Sequence, residues 1–304
     1  MKATILGTSS AMPTFRRCLS GTVLERENES FLFDCGEGTQ FQFLHARLRR
    51  GTLKAIFITH LHGDHFFGLP GFLSTLALNN RDKPLTLWGP RGLKQFMTSV
   101  LTCPHPHPMR FLDVQEILPD ESRVLIDHSA YQISTAPLRH RVDAFGFRLE
   151  EKPRHGTFDS EKADELGIPF GKERGVLKSG QAITLADGRV IEPTSVVGPP
   201  IDGKVFAYCT DTVPCQGAVE LSREADVLIH EATYADAEAS LARERGHSTI
   251  RQAATIAKEA GVKKLVATHF STRYRRPDLK RMHKEGQEVF ENLVMAEDLL
   301  TIEI

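Results

Sequence analysis

Thr59-His60-Leu61-His62-Gly63-Asp64-His65 follows directly on the apolar run Ala55 to Ile58. In an extended chain the side chains at i and i+2 share a face, so His60 and His62 converge on one ion. Gly63 is the expected turning point, after which Asp64 and His65, at the start of a helix, aim at a second ion. Imidazole nitrogen and carboxylate oxygen are suitable zinc ligands. The five cysteines (Cys18, Cys35, Cys103, Cys209 and Cys215) are odd in number and contain no Cys-x-x-Cys pair, so they suggest neither a thiolate site nor a disulfide framework; they read as reduced, mostly packed residues. An ion needs three or more protein ligands, so further donors are expected where other strands give out. His140, after Tyr131 to Ala136, Asp211, after Val205 to Thr210, and His269, after Leu265 to Thr268, stand at such places.

Short apolar runs bounded by Gly, Asp and Pro predict strands at Ala3 to Leu6, Thr22 to Leu24, Phe31 to Phe33, Ala55 to Thr59, Leu85 to Trp88, Val124 to Ile126, Tyr131 to Ala136, Phe145 to Leu149, Val205 to Cys209, Val227 to Ile229 and Leu265 to Thr268. Helical spacing occurs at Thr39 to Leu48, Leu69 to Leu78, Gly92 to Leu101 and Thr249 to Ala260. From Glu151 to Lys204 the pattern breaks into a charged, Gly/Pro-punctuated stretch, read as an insertion into a single domain spanning 1–304. Strand runs early and late, with helices among them, predict two sheets packed face to face and covered outside by helices, an α/β four-layer sandwich. The 304 residues carry a net charge of −1, so any polyanion site must come from local segregation of charge. The opening Met1 to Gly7 reads directly into a strand and no long apolar stretch occurs, so a soluble cytoplasmic protein without membrane contact is expected.

The set His60-x-His62-x-Asp64-His65, His140, Asp211 and His269 resembles the ligand series of the metallo-β-lactamase superfamily. More narrowly, the chain resembles ribonuclease Z in its short bacterial form, through Leu6-Gly7-Thr8-Ser9-Ser10-Ala11-x-Pro13-Thr14, Phe33 to Gln40, His230-Glu231-Ala232-Thr233, Gly246-His247-Ser248-Thr249 and Thr268 to Tyr274. The resemblance implies a four-layer αββα fold, removal of the 3′ trailer of precursor tRNA, and two zinc ions per subunit, with manganese as a substitute. His60, His62 and His140 would hold one ion, Asp64, His65 and His269 the other, and Asp211 would bridge. Asp64 would also orient water or accept its proton. The departing 3′ oxygen needs a proton, for which His247 is the candidate donor with Glu231 behind it; the alternative reading makes His247 a neighbour of an N-cap at Ser248 or Thr249. Asp34 is expected behind a ligand histidine, and His230 either there or in a structural role.

Basic residues gather at Arg273, Arg275, Arg276, Lys280, Arg281 and Lys284, just after His269, where an RNA backbone would be attracted. The insertion resembles the family's flexible tRNA-gripping arm, with Lys172, Arg174 and Lys178 as its candidate RNA contacts. It departs from the family pattern in having Phe170 and Lys172 where prolines are common, and its eight basic and eight acidic residues balance between Lys152 and Lys204. The family's arm serves the partner subunit, which implies a homodimer; no DNA partner is expected. Two other readings stay open at this point: another binuclear hydrolase of this fold, such as a phosphodiesterase, arylsulfatase or lactonase, and a non-catalytic RNA-binding protein.

Overall fold

The computed structural model describes residues 1–102 and 109–304, so Cys103 lies outside the described residues. Among them Cys18, Cys35, Cys209 and Cys215 are free thiols, and no helix is long and apolar enough to cross a membrane.

Two seven-stranded sheets carry the larger of two compact units, made of Met1–Ile126, Ile133–Leu149 and Val205–Ile304. The first sheet runs Thr301–Glu303, Lys2–Gly7, Gly21–Arg26, Glu29–Phe33, Leu53–Phe57, Leu85–Pro90, Leu112–Ile117; the second runs Leu293–Met295, Leu265–Thr268, Val227–Glu231, Val205–Cys209, Ala144–Glu151, Tyr131–Leu138, Arg123–Asp127. Phe33 and Phe57 of the first sheet interleave with Phe147, Phe206 and Tyr208 of the second, with ring centroids 5.1 to 6.0 Å apart. Each such ring contributes roughly 1.5–3 kcal/mol by leaving water. The opposite face of the first sheet buries Leu6, Leu32, Ile56 and Leu87 with Phe43, Leu73 and Met97 from the helices Thr39–His45, Leu69–Leu78 and Leu93–Leu101. The outer face of the second buries Ala207, Leu228 and Ala267 with Leu221, Ala253, Ala257 and Met282 from Gln216–Ser222, Ile250–Glu259 and Arg276–Gln287. Helix, sheet, sheet, helix is the four-layer order expected from the sequence.

Leu112–Ile117, Leu293–Met295 and Thr301–Glu303 were not legible as strands, since two are three residues long and the first carries Asp113, Gln115 and Glu116. All three are edge strands, where one ladder of hydrogen bonds suffices and little apolar surface is needed.

The smaller unit joins Glu150–Lys204 to Asp127–Gln132. Lys152 fastens the two segments by donating its N–H to Ala130 O at 2.9 Å and its Nζ to Asp127 Oδ1 at 2.5 Å. Despite the weak periodicity, the helices Ser160–Glu165 and Lys172–Lys178 and a hairpin of Ile183–Thr184 with Val190–Ile191 close over Ala163, Ile168, Leu177, Ile191 and Val196. Arg174 and Leu177 are buried together because i and i+3 share a helix face. The Arg174 guanidinium donates to Ile168 O and Asp164 Oδ1 and stacks 5.5 Å from the Phe170 ring. It therefore holds this small core together instead of presenting charge to solvent, in contrast to exposed Lys172 and Lys178. Arg174→Ala would strand the Ile168 carbonyl and is expected to destabilise this unit by about 1–3 kcal/mol. Limited proteolysis should then cut within 150–204 faster while the rest resists; an unchanged cleavage rate would remove the structural role.

Candidate metal centre

Strands of both sheets end along one rim, and each donor lies just past such an end. Asp34 follows Glu29–Phe33, the histidine motif follows Leu53–Phe57, His140 follows Tyr131–Leu138, Asp211 follows Val205–Cys209 and His269 follows Leu265–Thr268. Pairing of Phe33 with Phe57 and of Glu231 with Thr268 brings the ends level. Asp34, Asp211 and His269 turn off their strands in the left-handed region, at φ 57°, 50° and 61°. For residues other than glycine this conformation costs energy that the surrounding packing must offset, and it recurs where function fixes the backbone. As expected, the chain turns from extended His62 into a helix at Gly63, and the space around Gly63 adds a second demand for glycine. It begins the short helix Gly63–Phe66, and a Cβ there would fall 2.4 Å from the Phe67 ring.

The donor atoms converge in three overlapping groups, all potential ligand atoms within 4.8 Å of one another in each: His60, His62, His140 and Asp211 in one, Asp64, His65 and His269 in another, and a third in which His247 joins Asp211 and His269. His60 Nε2 lies 3.1 Å and His140 Nε2 3.3 Å from His62 Nδ1; His65 Nε2 and His269 Nε2 are 3.3 Å apart. Asp211 spans the groups. Its Oδ2 is 3.5 Å from His60 Nε2, and its Oδ1 is 3.4 and 3.3 Å from His65 and His269 Nε2.

In His60, His65, His140 and His269 the opposite ring nitrogen is held by another residue, which fixes the tautomer. His65 Nδ1 donates to Asp34 Oδ2 at 2.8 Å and His140 Nδ1 to Gly246 O at 2.7 Å. Thr59 donates its hydroxyl to Asp34 and faces His60 Nδ1 at 3.0 Å; Thr233 donates to Glu231 Oε2 and faces His269 Nδ1 at 3.0 Å. Ala11 N–H donates to Asp64 Oδ2 at 2.8 Å. With their N–H groups turned outward, the rings aim lone pairs at one another across about 3 Å, an arrangement that is repulsive unless a cation lies among them. Asp211 Oδ1, buried and without a hydrogen bond, makes the same demand. Nitrogen and oxygen donors of this kind suit zinc, so the residues present fit a divalent metal.

Electrostatics agree. Burial pulls His65 down, but the carboxylates of Asp211, Asp34 and Asp64 outweigh it and hold the ring well above its ordinary value. Burial would raise Asp211, yet His269, His65 and His60 hold it well below the usual carboxylate range. Such a field favours positive charge, which a proton or a metal ion satisfies.

His247 lies beside the second group. Its Nδ1 donates to Glu231 Oε1 at 3.0 Å and stands 3.8 Å from Asp211 Oδ2, so that nitrogen is already committed and Nε2 is left for other partners. Burial lowers the His247 pKa, but Glu231 and Asp211 raise it more, to about 9. Glu231 is fully buried and satisfied, accepting also from the N–H groups of Thr212 and Thr233. Thr249, two residues on, is the N-cap of Ile250–Glu259 with a capping box to Gln252, so the segment caps a helix and presents His247 together. His230, next to Glu231 and pointing to the other face of its strand, donates Nδ1 to Glu231 O at 2.7 Å and bonds to none of the seven donors. Burial holds it neutral, a structural placement and not one behind a ligand.

Arg275 and Arg276 line a cavity of about 580 Å³ with Arg16 and Arg17. Arg273 instead pairs with Glu238 at 2.6 Å and stacks on Tyr234. Thr59, Thr233 and Ala11 stand inside the quoted motifs but, like Arg17, are given no role by the sequence. A threonine adjoining a histidine motif was the one available signal, and a threonine is equally ordinary in a strand.

A family model described as a beta-lactamase superfamily domain matches residues 178–270, and one described as anti-Pycsar protein Apyc1 matches residues 1–150. Proteins named ribonuclease Z from Synechocystis sp. and Nostoc sp. are 43% and 44% identical to the whole chain, covering 94% and 95% of those proteins. The solved short form of human tRNase Z is 33% identical, with a TM-score of 0.73 over 100% of this chain and 99% of that one. A Bacillus subtilis metallo-β-lactamase fold protein, YhfI, shares the fold at 21% identity and a TM-score of 0.68 over 100% of this chain and 99% of that one. With relatives this similar over its full length, and the donor set of that fold gathered at one rim, the chain belongs to the ribonuclease Z family of metallo-β-lactamase-fold hydrolases.

Proposed function

We propose that this chain is a zinc-dependent endoribonuclease that removes the 3′ trailer of precursor tRNA, leaving a 3′-hydroxyl on the tRNA. The observation that carries this reading is the pair of donor groups joined by Asp211, with the Glu231–His247 pair at their edge. His60, His62 and His140 would hold one zinc ion, Asp64, His65 and His269 the other, and Asp211 both; manganese has the same use for these donors. Two such ions would supply Lewis-acid activation of water and neutralise the phosphate's growing charge.

The remaining work falls to side chains. Asp64, anchored by Ala11 N–H, accepts the proton of the attacking water. As the new bond to phosphorus forms and the bond to the ribose 3′ oxygen breaks, His247 Nε2 gives that oxygen a proton. Glu231 fixes the ring and supports its charged form. The products are a 3′-hydroxyl on the tRNA and a 5′-phosphate on the trailer. Arg275 and Arg276, with Arg16 and Arg17 in the same cavity, attract the RNA backbone.

Incubation with a precursor tRNA should yield those two ends and stop when a chelator is added. Hydrolysis of a small ester with the precursor left intact would favour an arylsulfatase or lactonase instead. The insertion, inferred to be the arm that grips the tRNA away from the cut, bears Phe170 92% exposed beside exposed Lys172. Deleting Gly167 to Gly180 is expected to raise KM for precursor tRNA at least about tenfold, the loss of a few charge-assisted contacts, while hydrolysis of bis(p-nitrophenyl) phosphate is spared. Equal damage to both substrates would make the segment a support of the fold.

A homodimer acting in the cytoplasm completes the reading. Phe41 and Leu44, on Thr39–His45, and Phe67, which leads into Leu69–Leu78, are 63%, 50% and 60% exposed. The two helices adjoin through the Gln40–Thr75 hydrogen bond, so these side chains form an apolar face that a second copy would cover. Sedimentation should give twice the mass of the 33.9 kDa chain, and Phe41→Asp should halve it; a wild-type monomer would refute the dimer.

A further inference from the structure

A second arginine-lined cavity, of about 620 Å³, opens on the other flank of the centre, against His140 and His247. Arg139, Arg141 and Arg243 line it, and Glu244 is the acid among its walls, facing Arg245 at 3.8 Å. All three arginines are exposed, and none makes an ion pair or side-chain hydrogen bond among the described residues. Their backbone is nonetheless held in place. Arg139 bridges Val213, accepting its N–H at 2.9 Å on its carbonyl, and donates its own N–H to the Thr212 hydroxyl oxygen at 3.1 Å. Arg141 packs where Gly246 lies, since a Cβ on that glycine would fall 3.1 Å from Arg141 Cγ and 2.9 Å from His140 Nδ1. Gly246 also has φ 79°, so the wall that joins the cavity to the metal ligands admits no larger residue.

Exposed guanidinium groups that pair with no acid, carried on a fixed backbone beside a reaction centre, are free to meet the phosphates of a nucleic acid. Direction comes from His247, which lines both this cavity and the centre. The oxygen that His247 protonates belongs to the last nucleotide retained by the tRNA. The wall next to His247 is therefore where that nucleotide and the phosphates upstream of it lie. The trailer, which keeps the phosphate, lies on the other side of the scissile bond.

From this geometry we infer that the cavity lined by Arg139, Arg141 and Arg243 binds the phosphodiester backbone of the tRNA's own 3′ end, upstream of the cut, and so positions the scissile bond. The inference rests on the proposed endoribonuclease reading.

The test uses the full-length, metal-loaded protein and two variants, Arg139→Ala/Arg141→Ala and Arg243→Ala. KM for precursor tRNA is expected to rise about fivefold for each arginine removed, with kcat within about twofold, and the slope of log KM against log salt to fall by about one for each. Mature tRNA lacking any trailer should lose affinity by the same factor, whereas a 5′-phosphorylated trailer oligonucleotide should inhibit wild type and variants equally. Unchanged KM, or a loss confined to the trailer oligonucleotide, overturns the assignment. Wild-type protein that leaves the precursor uncut overturns the underlying function as well, so the two failures are told apart. Metal content equal to wild type in both variants is required, and Arg139→Lys/Arg141→Lys should recover most of the salt slope if charge is what matters.

Discussion

His247→Ala is expected to lower kcat on precursor tRNA by about 10² to 10⁴-fold, the usual worth of a positioned proton donor, while both metal ions stay bound. His247 does stand within reach of Asp211 and His269, but its Nδ1 is committed to Glu231 at 3.0 Å, so its removal takes no donor from the groups of His60, His62, His140 and Asp211 or of Asp64, His65 and His269. The loss should depend on the leaving group. A ribose 3′ oxygen departs poorly without a proton, whereas p-nitrophenolate needs none, so bis(p-nitrophenyl) phosphate hydrolysis should fall by less than about tenfold. Glu231→Gln keeps the shape of the site but accepts the Nδ1 proton less strongly and should give an intermediate loss on tRNA. Equal loss on both substrates, or release of metal from the alanine variant, would show that His247 belongs to the metal site.

Asp211→Ala is expected to have the larger effect on binding, because this carboxylate is shared between the groups: Oδ2 faces His60, and Oδ1 faces His65 and His269. Its removal should release at least one ion per chain and cut activity by more than about 10³-fold, since charge stabilisation supplied from both sides of the phosphate is lost together. Stability gives an independent reading. Metal at about 100 times its dissociation constant stabilises a folded protein by about 2.7 kcal/mol, so chelation should lower the Tm of wild type and leave that of Asp211→Ala almost unmoved. An Asp211→Ala variant that keeps two ions and its chelator response would remove the bridging role.

The gathering of the centre was readable in the chain because each donor is a polar residue just past a strong apolar strand. Val205–Cys209 and Leu265–Thr268 are too apolar to be anything but buried strands, so Asp211 and His269 had to emerge at a strand end. The left-handed turns at Asp34, Asp211 and His269 were not readable, since no glycine or asparagine marks them. They are imposed by the packing around the rim. The outer layer of support was hidden for a similar reason: Thr59 and Thr233 act through hydroxyls that would be unremarkable in any strand. Arg174 misled because a charge in a Gly/Pro-rich stretch reads as solvated. Its burial came from the helical phase it shares with Leu177, visible only once the helix bounds Lys172–Lys178 were known. His230 could not be decided from the sequence, because a histidine beside a functional glutamate suggests a shared site, while strand alternation, which turns the two apart, suggests a structural one.

The most direct measurement is a titration of zinc into chelated, full-length protein while cleavage of a precursor tRNA is followed and its ends are mapped. Activity should rise with metal and level off at two ions per chain, and the tRNA fragment should carry a 3′-hydroxyl. Full cleavage in the presence of chelator, or a plateau reached without metal bound to the protein, would contradict a centre built from His60, His62, Asp64, His65, His140, Asp211 and His269.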